Sequence, residues 1–187
     1  MPDVDAAHGR PAPDPTGPAD GPGADAVVRG RMLAVDVGRA RVGLAASDPD
    51  GLVATPVATL RRDVRGRRDL DELAGHAAEL DVVAVVVGLP LNLRGEHTPS
   101  TDDALAYAAA VRERLARDGR HVPVRLVDER LSTVTAQAGL HRAGRRVKDS
   151  RDVIDQAAAV AILQSALDEQ RRTGTWAGAP AEEETDR

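Results

Sequence analysis

The sequence contains no cysteine. Disulfide frameworks, cysteine-ligated zinc, iron–sulfur clusters and thiol nucleophiles are therefore excluded. Phenylalanine is also missing, which leaves Tyr107 and Trp176 as the aromatic residues. A core must then be assembled from Val, Leu, Ile and Ala, and recognition of bases by rows of aromatic rings is disfavoured. Lysine occurs once, at Lys148, so the other 24 of the 25 basic side chains are arginine. No apolar run approaches the roughly 18 residues of a membrane span. The opening segment lacks the apolar stretch of a secretory signal. The expectation is a cytoplasmic protein with no membrane association.

What is present suits one full-sized domain: 187 residues, 42% hydrophobic and 29% charged. The net charge of −5 is unevenly spread. Residues 1–29 hold five Asp against two Arg, and residues 173–187 hold four acids against one Arg. Between them, 30–172 carry 22 basic and 21 acidic side chains. The acidic balance belongs to the two ends, so it does not exclude a nucleic-acid partner. Both ends are rich in Pro, Gly and Ala without a sustained apolar period, and read as disordered tails. The folded unit is expected over 30–172.

Three apolar runs, 31–37, 42–47 and 52–60, are joined by short turns and predict an antiparallel meander. Residues 67–80 carry apolar positions at helical spacing. Val82 to Val87 is a nearly unbroken β-branched run, as for a strand covered on both faces. A helix over 101–116, a strand over 122–127, a helix over 131–140, a basic loop over 143–150 and a long helix over 152–171 complete the order. The pattern predicts an α/β fold with a mixed five-stranded sheet, three antiparallel strands then two parallel ones, flanked by helices.

The informative acids stand at the ends of these elements. Asp36 interrupts an apolar strand, where a buried carboxylate needs a partner: a metal ion, an arginine or backbone N–H groups. A turn-capping role before Gly38 is the simpler alternative. Asp128 and Glu129 end the later strand, and alternation sends them to opposite faces, so only one can share a site with Asp36. Asp152 and Asp155 lie on one face of the last helix, continued by Ala159, Ile162 and Ala166. Asp152 also suits the first-turn helix dipole. Clustered carboxylates need a cation, and oxygen ligands without cysteine favour Mg²⁺ or Mn²⁺, with a two-metal site the expected form. The five histidines show no zinc-like spacing. Arg39 and Arg41 follow Asp36 in a Gly-containing loop, while Arg142, Arg145, Arg146, Lys148 and Arg151 crowd the approach to the last helix. Together with Arg130 and a further group at 61, 62, 65, 67 and 68, they are candidates for phosphate contacts. Gly88 and Pro90 read as a sharp stop to the central strand, and Asn92 beyond them as a candidate to orient a phosphate or a water.

The strings LAVDVGRARVGLAASD (33–48), VVVGLPLNLRG (85–95), DERLSTVTA (128–136) and VIDQAAAVAILQ (153–164) resemble the YqgF-type family of pre-16S rRNA nucleases. That family is similar to Holliday-junction resolvases, and the resemblance implies an RNase H-like fold over about 31–172. It implies catalytic carboxylates at Asp36, Glu129 and Asp155, with Asp152 matching a further ligand found in true resolvases. It also implies a basic position before the last helix, met by Lys148 or a neighbour. The expected activity is metal-dependent hydrolysis of phosphodiesters in structured RNA, at the 5′ end of pre-16S rRNA, by a monomer or weak homodimer associated with the ribosome. Four-way DNA junctions are the rival substrate, and a non-catalytic nucleic-acid-binding module the rival class. The loop from Asp36 to Gly43 also resembles the first phosphate loop of actin-like ATPases, but the chain has no room for their second domain.

Overall fold

The computed structural model describes residues 27–131 and 151–181. The expected helix over 131–140 and the basic loop with Arg145, Arg146 and Lys148 lie outside the described residues, as do 1–26 and 182–187. The elements are β1 (Met32–Val37), β2 (Arg41–Ser47), β3 (Ala54–Arg61), α1 (Arg68–Glu79), β4 (Ala84–Leu89), α2 (Pro99–Arg117), β5 (Val124–Asp128), a short 3₁₀ turn (Glu129–Leu131), α3 (Arg151–Thr173) and β6 (Ala179–Pro180). They form one sheet in the order β3-β2-β1-β4-β5-β6. β1, β2 and β3 pair antiparallel, while β4 joins β1 and β5 joins β4 in parallel.

The sheet therefore has six strands where five were expected. β6 lies in the segment read as a tail and pairs antiparallel with β5. Its anchor is Arg125, a buried β5 side chain that donates to the carbonyls of Ala177 and Gly178. Trp176 and Ala177 are buried with it. β3 starts later than expected because the Asp48 carboxylate accepts from the amides of Asp50, Leu52 and Val53, drawing those residues into the turn. α2 starts earlier, with Thr98 and Thr101 forming a reciprocal cap and Pro99 in the first turn. β4 continues through Gly88 rather than stopping before it.

Strand alternation divides the core into two layers. Leu33, Val35, Val42, Leu44, Val85 and Val87 face α1 and α2, where they meet Leu70, Leu73, Val111 and Leu115. Met32, Ala34, Ala45 and Val86 face α3 and meet Ala159, Ile162, Leu163 and Leu167. The alanines on that second face let α3 lie close to the strands, and this closeness positions the site.

Candidate active site

Continuing the alternation of β1 from Met32 and Ala34 brings Asp36 onto the α3 face. Its partner across the β1–β2 ladder is Gly43. A Cβ at Gly43 would stand 2.2 Å from the carbonyl oxygen of Asp155, so the first turns of α3 lie directly on this glycine. Asp155 is thereby delivered to the end of β1 by a missing side chain on β2. On the other side of Asp36, β4 contributes Gly88, where a Cβ would meet Glu129 Oε1 and Ile162 Cδ1, each at 2.6 Å. The Glu129 side chain thus reaches across β4 towards β1. Across the sheet the register runs Gly43, Asp36, Gly88, Val127, and Glu129, in the turn just past β5, lays its carboxylate over Gly88.

The electrostatics record this convergence. The Asp36 carboxyl is pushed up to about 6, first by burial and then by the charge of Asp155. Glu129 is pushed up to about 7 by burial, then by Asp36 and Asp128. Asp155 receives Nε of Arg41 on its Oδ2 at 2.5 Å. Asp128 points away from Asp36 and is gripped by the Arg130 fork, which holds its carboxyl below the usual range. Alternation had left Asp128 or Glu129 as the residue sharing the site; Glu129 is the one brought to Asp36.

Several expected phosphate ligands have other partners. Arg130 bonds Asp128 and the carbonyl of Asn92. The Asn92 side chain accepts from the amides of Arg94 and Glu96 and donates to the Glu96 carboxylate, so it closes its own loop. Arg39 is exposed, and Arg41 is turned onto Asp155. The basic group at 61–68 is not one patch, because the Arg62 side chain is buried. Arg151 and Asp152 open α3, but their side chains lie outside the described residues. Reading the residues singly missed Gly43 and Gly88 as parts of the site. A glycine inside the β-branched run of β4 was the available signal.

Among the described residues, no group of three or more His, Asp or Glu side chains stands close enough to form a ready cage for a metal ion. The donor set is nevertheless all hard oxygen, and burial, with neighbouring carboxylates, raises both Asp36 and Glu129 above the usual carboxylate range. Such a pair is suited to a hard divalent cation, which would replace the protons.

A mixed sheet of this strand order, with helices on both faces, defines an RNase H-like fold. Two solved structures share the fold: Thermus thermophilus RuvC in complex with a Holliday junction substrate (TM-score 0.54, 15% identity, 81% of this chain and 99% of that one) and Thermus thermophilus RuvC by itself (TM-score 0.50, 17% identity, 80% and 99%). Residues 30–169 match the RuvX family, described as Holliday junction resolvase, and the chain belongs to this family of nuclease hydrolases. Curated relatives called "Putative pre-16S rRNA nuclease" include proteins of Mycobacteroides abscessus (49% identical over 180 residues, 96% of this chain and 100% of that protein) and Mycobacterium tuberculosis (52% over 180 residues, 95% and 99%). A third, from Clavibacter michiganensis, is 54% identical over 150 residues, 80% of this chain and 90% of its own. No described helix is long and apolar enough to cross a membrane.

Proposed function

We propose that the protein is a divalent-cation-dependent endonuclease that trims structured RNA, namely the 5′ end of pre-16S rRNA, with Asp36, Glu129 and Asp155 as its catalytic carboxylates. The observation that carries this reading is Asp36 between Gly43 and Gly88 on the α3 face, with the Asp155 backbone laid on Gly43 and the Glu129 carboxylate laid over Gly88. Two glycines that make room for three acids have no value to a core, and a binding surface for phosphates gains nothing from negative charge. When bound, Mg²⁺ or Mn²⁺, as one ion or a pair, would supply charge stabilisation to the attacking and leaving oxygens of the phosphodiester. Asp36, Glu129 and Asp155 would hold it, with Asp152 as a further ligand. Water would add to phosphorus as the bond to the 3′ oxygen breaks, leaving a 5′-phosphate and a 3′-hydroxyl.

The remaining side chains bind and orient. Arg41 holds Asp155 in the folded protein and would add a phosphate contact. Arg39, Arg145, Arg146, Lys148 and Arg151 would supply salt-sensitive phosphate contacts. Arg130 and Asn92 act through the loop after β4, whose shape they fix. The protein would work in the cytoplasm, in passing association with the ribosome, as a monomer or weak homodimer.

A second reading is favoured by the RuvC likeness: cleavage of four-way DNA junctions, which calls for two symmetry-related nicks and hence a dimer. Cleavage of precursor rRNA and of junction DNA in Mg²⁺ or Mn²⁺, with wild type and Asp36→Asn compared, decides among these. Wild-type cleavage of the RNA alone, abolished in Asp36→Asn, is the expected result. Junction cleavage alone selects the second reading, and equal rates for the two proteins overturn both.

A further inference from the structure

Arg62 belongs to no substrate surface. Its side chain is 8% exposed, enclosed between the sheet and α2. Nη1 donates to the Gly38 carbonyl at 3.2 Å, and the fork closes on Asp103 of α2 at 2.8 and 3.2 Å. Nε lies 3.6 Å from the buried carboxylate of Asp69 in α1, and the guanidinium stands over the Tyr107 ring, 4.6 Å from its centre. The backbone amide of Arg62 also donates to the Ala40 carbonyl at 3.0 Å. Residue 62 therefore grips the β1–β2 turn twice, once through its backbone and once through its side chain.

That turn joins Asp36 to Arg41, whose Nε pairs with the Asp155 carboxylate. It is tight: the Gly38 amide donates to the Arg41 carbonyl at 2.9 Å, and a Cβ at Gly38 would stand 2.7 Å from that same oxygen. The N-terminal end of α2 that supplies Asp103 also supplies Thr101, whose hydroxyl donates to the Pro90 carbonyl just after β4. One helix end thus ties down both the turn after β1 and the exit of β4, the two strands that flank the site. Burying a guanidinium beside the buried Asp69 carboxylate, with the half-exposed Asp103 closing its fork, is a poor way to stabilise a core, since apolar residues of similar volume do as well or better. The turn carbonyl could be satisfied by water alone. What the fork adds is a fixed position for the turn.

We propose that Arg62, held by Asp103, is a positioning residue that sets Asp36 and Arg41 from the opposite face of the sheet. This rests on the nuclease reading for its effect on cleavage, though not for its effect on the turn. The test compares wild type with Arg62→Gln, Arg62→Lys and Asp103→Asn, the last keeping the Arg62–Asp69 pair should the glutamine variant fail to fold. Three quantities are read: kcat and KM on cleaved RNA, Mn²⁺ affinity by calorimetry without nucleic acid, and hydrogen exchange of the Gly38 amide.

The expected result for Arg62→Gln is a kcat lower by about 10–100-fold with KM little changed, and Mn²⁺ affinity lower by about 10-fold. Exchange at Gly38 should quicken while α3 keeps its protection. Lysine, a point charge without the fork, should fail to restore kcat, and Asp103→Asn should move all three readouts in the same direction by less. A folded Arg62→Gln or Asp103→Asn protein with wild-type kcat, Mn²⁺ affinity and Gly38 exchange overturns the proposal. So does a lowered melting temperature with those three unchanged. If the wild type cleaves no nucleic acid, the nuclease reading falls, and the Mn²⁺ and exchange measurements still decide the role of Arg62.

Discussion

The two faces of one sheet are built from the same five core strands and have opposite contents. The face under α1 and α2 is filled with Leu and Val side chains that meet other apolar side chains. The face under α3 is filled with alanines at one end and, at the C-terminal end of β1, gives way to glycines and carboxylates. On the first face stability comes from side-chain volume, and on the second from the lack of it. A helix laid on glycine and alanine brings its backbone close to the strands, and only then can an acid on its first turns meet acids on the sheet. The first face therefore tolerates the loss of a methylene as a loss of stability alone. The second should not tolerate the gain of one.

The largest effect follows from filling Gly43. In Gly43→Ala the new methyl meets the Asp155 carbonyl, which is helix backbone and cannot rotate away. α3 must move as a body, with a loss of stability above about 3 kcal/mol and loss of cleavage at any temperature. The counterpart on the first face is Leu73→Ala, which removes a fully buried side chain from α1. It should destabilise by a similar 2–5 kcal/mol, about the usual range for such truncations. Cleavage by the fraction still folded should be unchanged. Urea unfolding with activity measured below the transition separates the two: equal activity per folded molecule in both variants would erase the distinction between the faces.

A smaller effect, of opposite sign, comes from removing charge. Asp36 ionises near its ordinary 3.8 when unfolded and near 6 when folded. Below 3.8 both states hold the proton. Between those values unfolding releases it, so stability falls as pH rises, and above about 6 the loss is complete. Asp36→Asn cannot suffer this loss. At pH 8 in chelator the variant should be more stable by on the order of 2 kcal/mol, allowing for solvent that still reaches the carboxylate. At pH 3.5 the gap should close. Mn²⁺ should narrow it at pH 8 by binding the wild type alone. Denaturation across this pH range checks the sign, and a variant less stable than wild type at pH 8 would contradict it.

The sequence displayed the acids better than it displayed their setting. The break that Asp36 makes in an apolar strand and the apolar stripe after Asp155 marked two of the acids, whereas alternation left Asp128 and Glu129 open and only the family resemblance pointed to Glu129. Gly43 and Gly88 were legible only as loop and turn residues, because their role is to be absent beneath another element, and that element is over 40 residues away in each case. Arg62 was hidden in a run of arginines for the same reason: its partners, Gly38, Asp69 and Asp103, come from three different elements. β6 escaped notice since two residues carry no period, and its anchor Arg125 looks like an interruption of β5. Local pattern reveals which face a residue takes, whereas contacts between distant elements decide what that face is for.

Gly88 offers the finest probe of the contrast, because here the obstructing atoms can give way. A methyl at this position meets Oε1 of Glu129 and Cδ1 of Ile162, both at the ends of flexible side chains. Both can rotate, so Gly88→Ala should lose only about 1 kcal/mol, the low end for overpacking. The glycine also sits inside a strand, where a side chain lowers backbone freedom in the unfolded chain and offsets part of that loss. Glu129 cannot move without leaving Asp36, however, so the damage should appear in the site rather than in the fold. The expected outcome is a melting temperature within a few degrees of wild type and cleavage reduced by about 10-fold or more. Restoring the space by adding Ile162→Val to Gly88→Ala should recover stability but not cleavage, since Glu129 Oε1 still meets the methyl. Recovery of both would mean that Ile162, and not Glu129, is what this glycine accommodates.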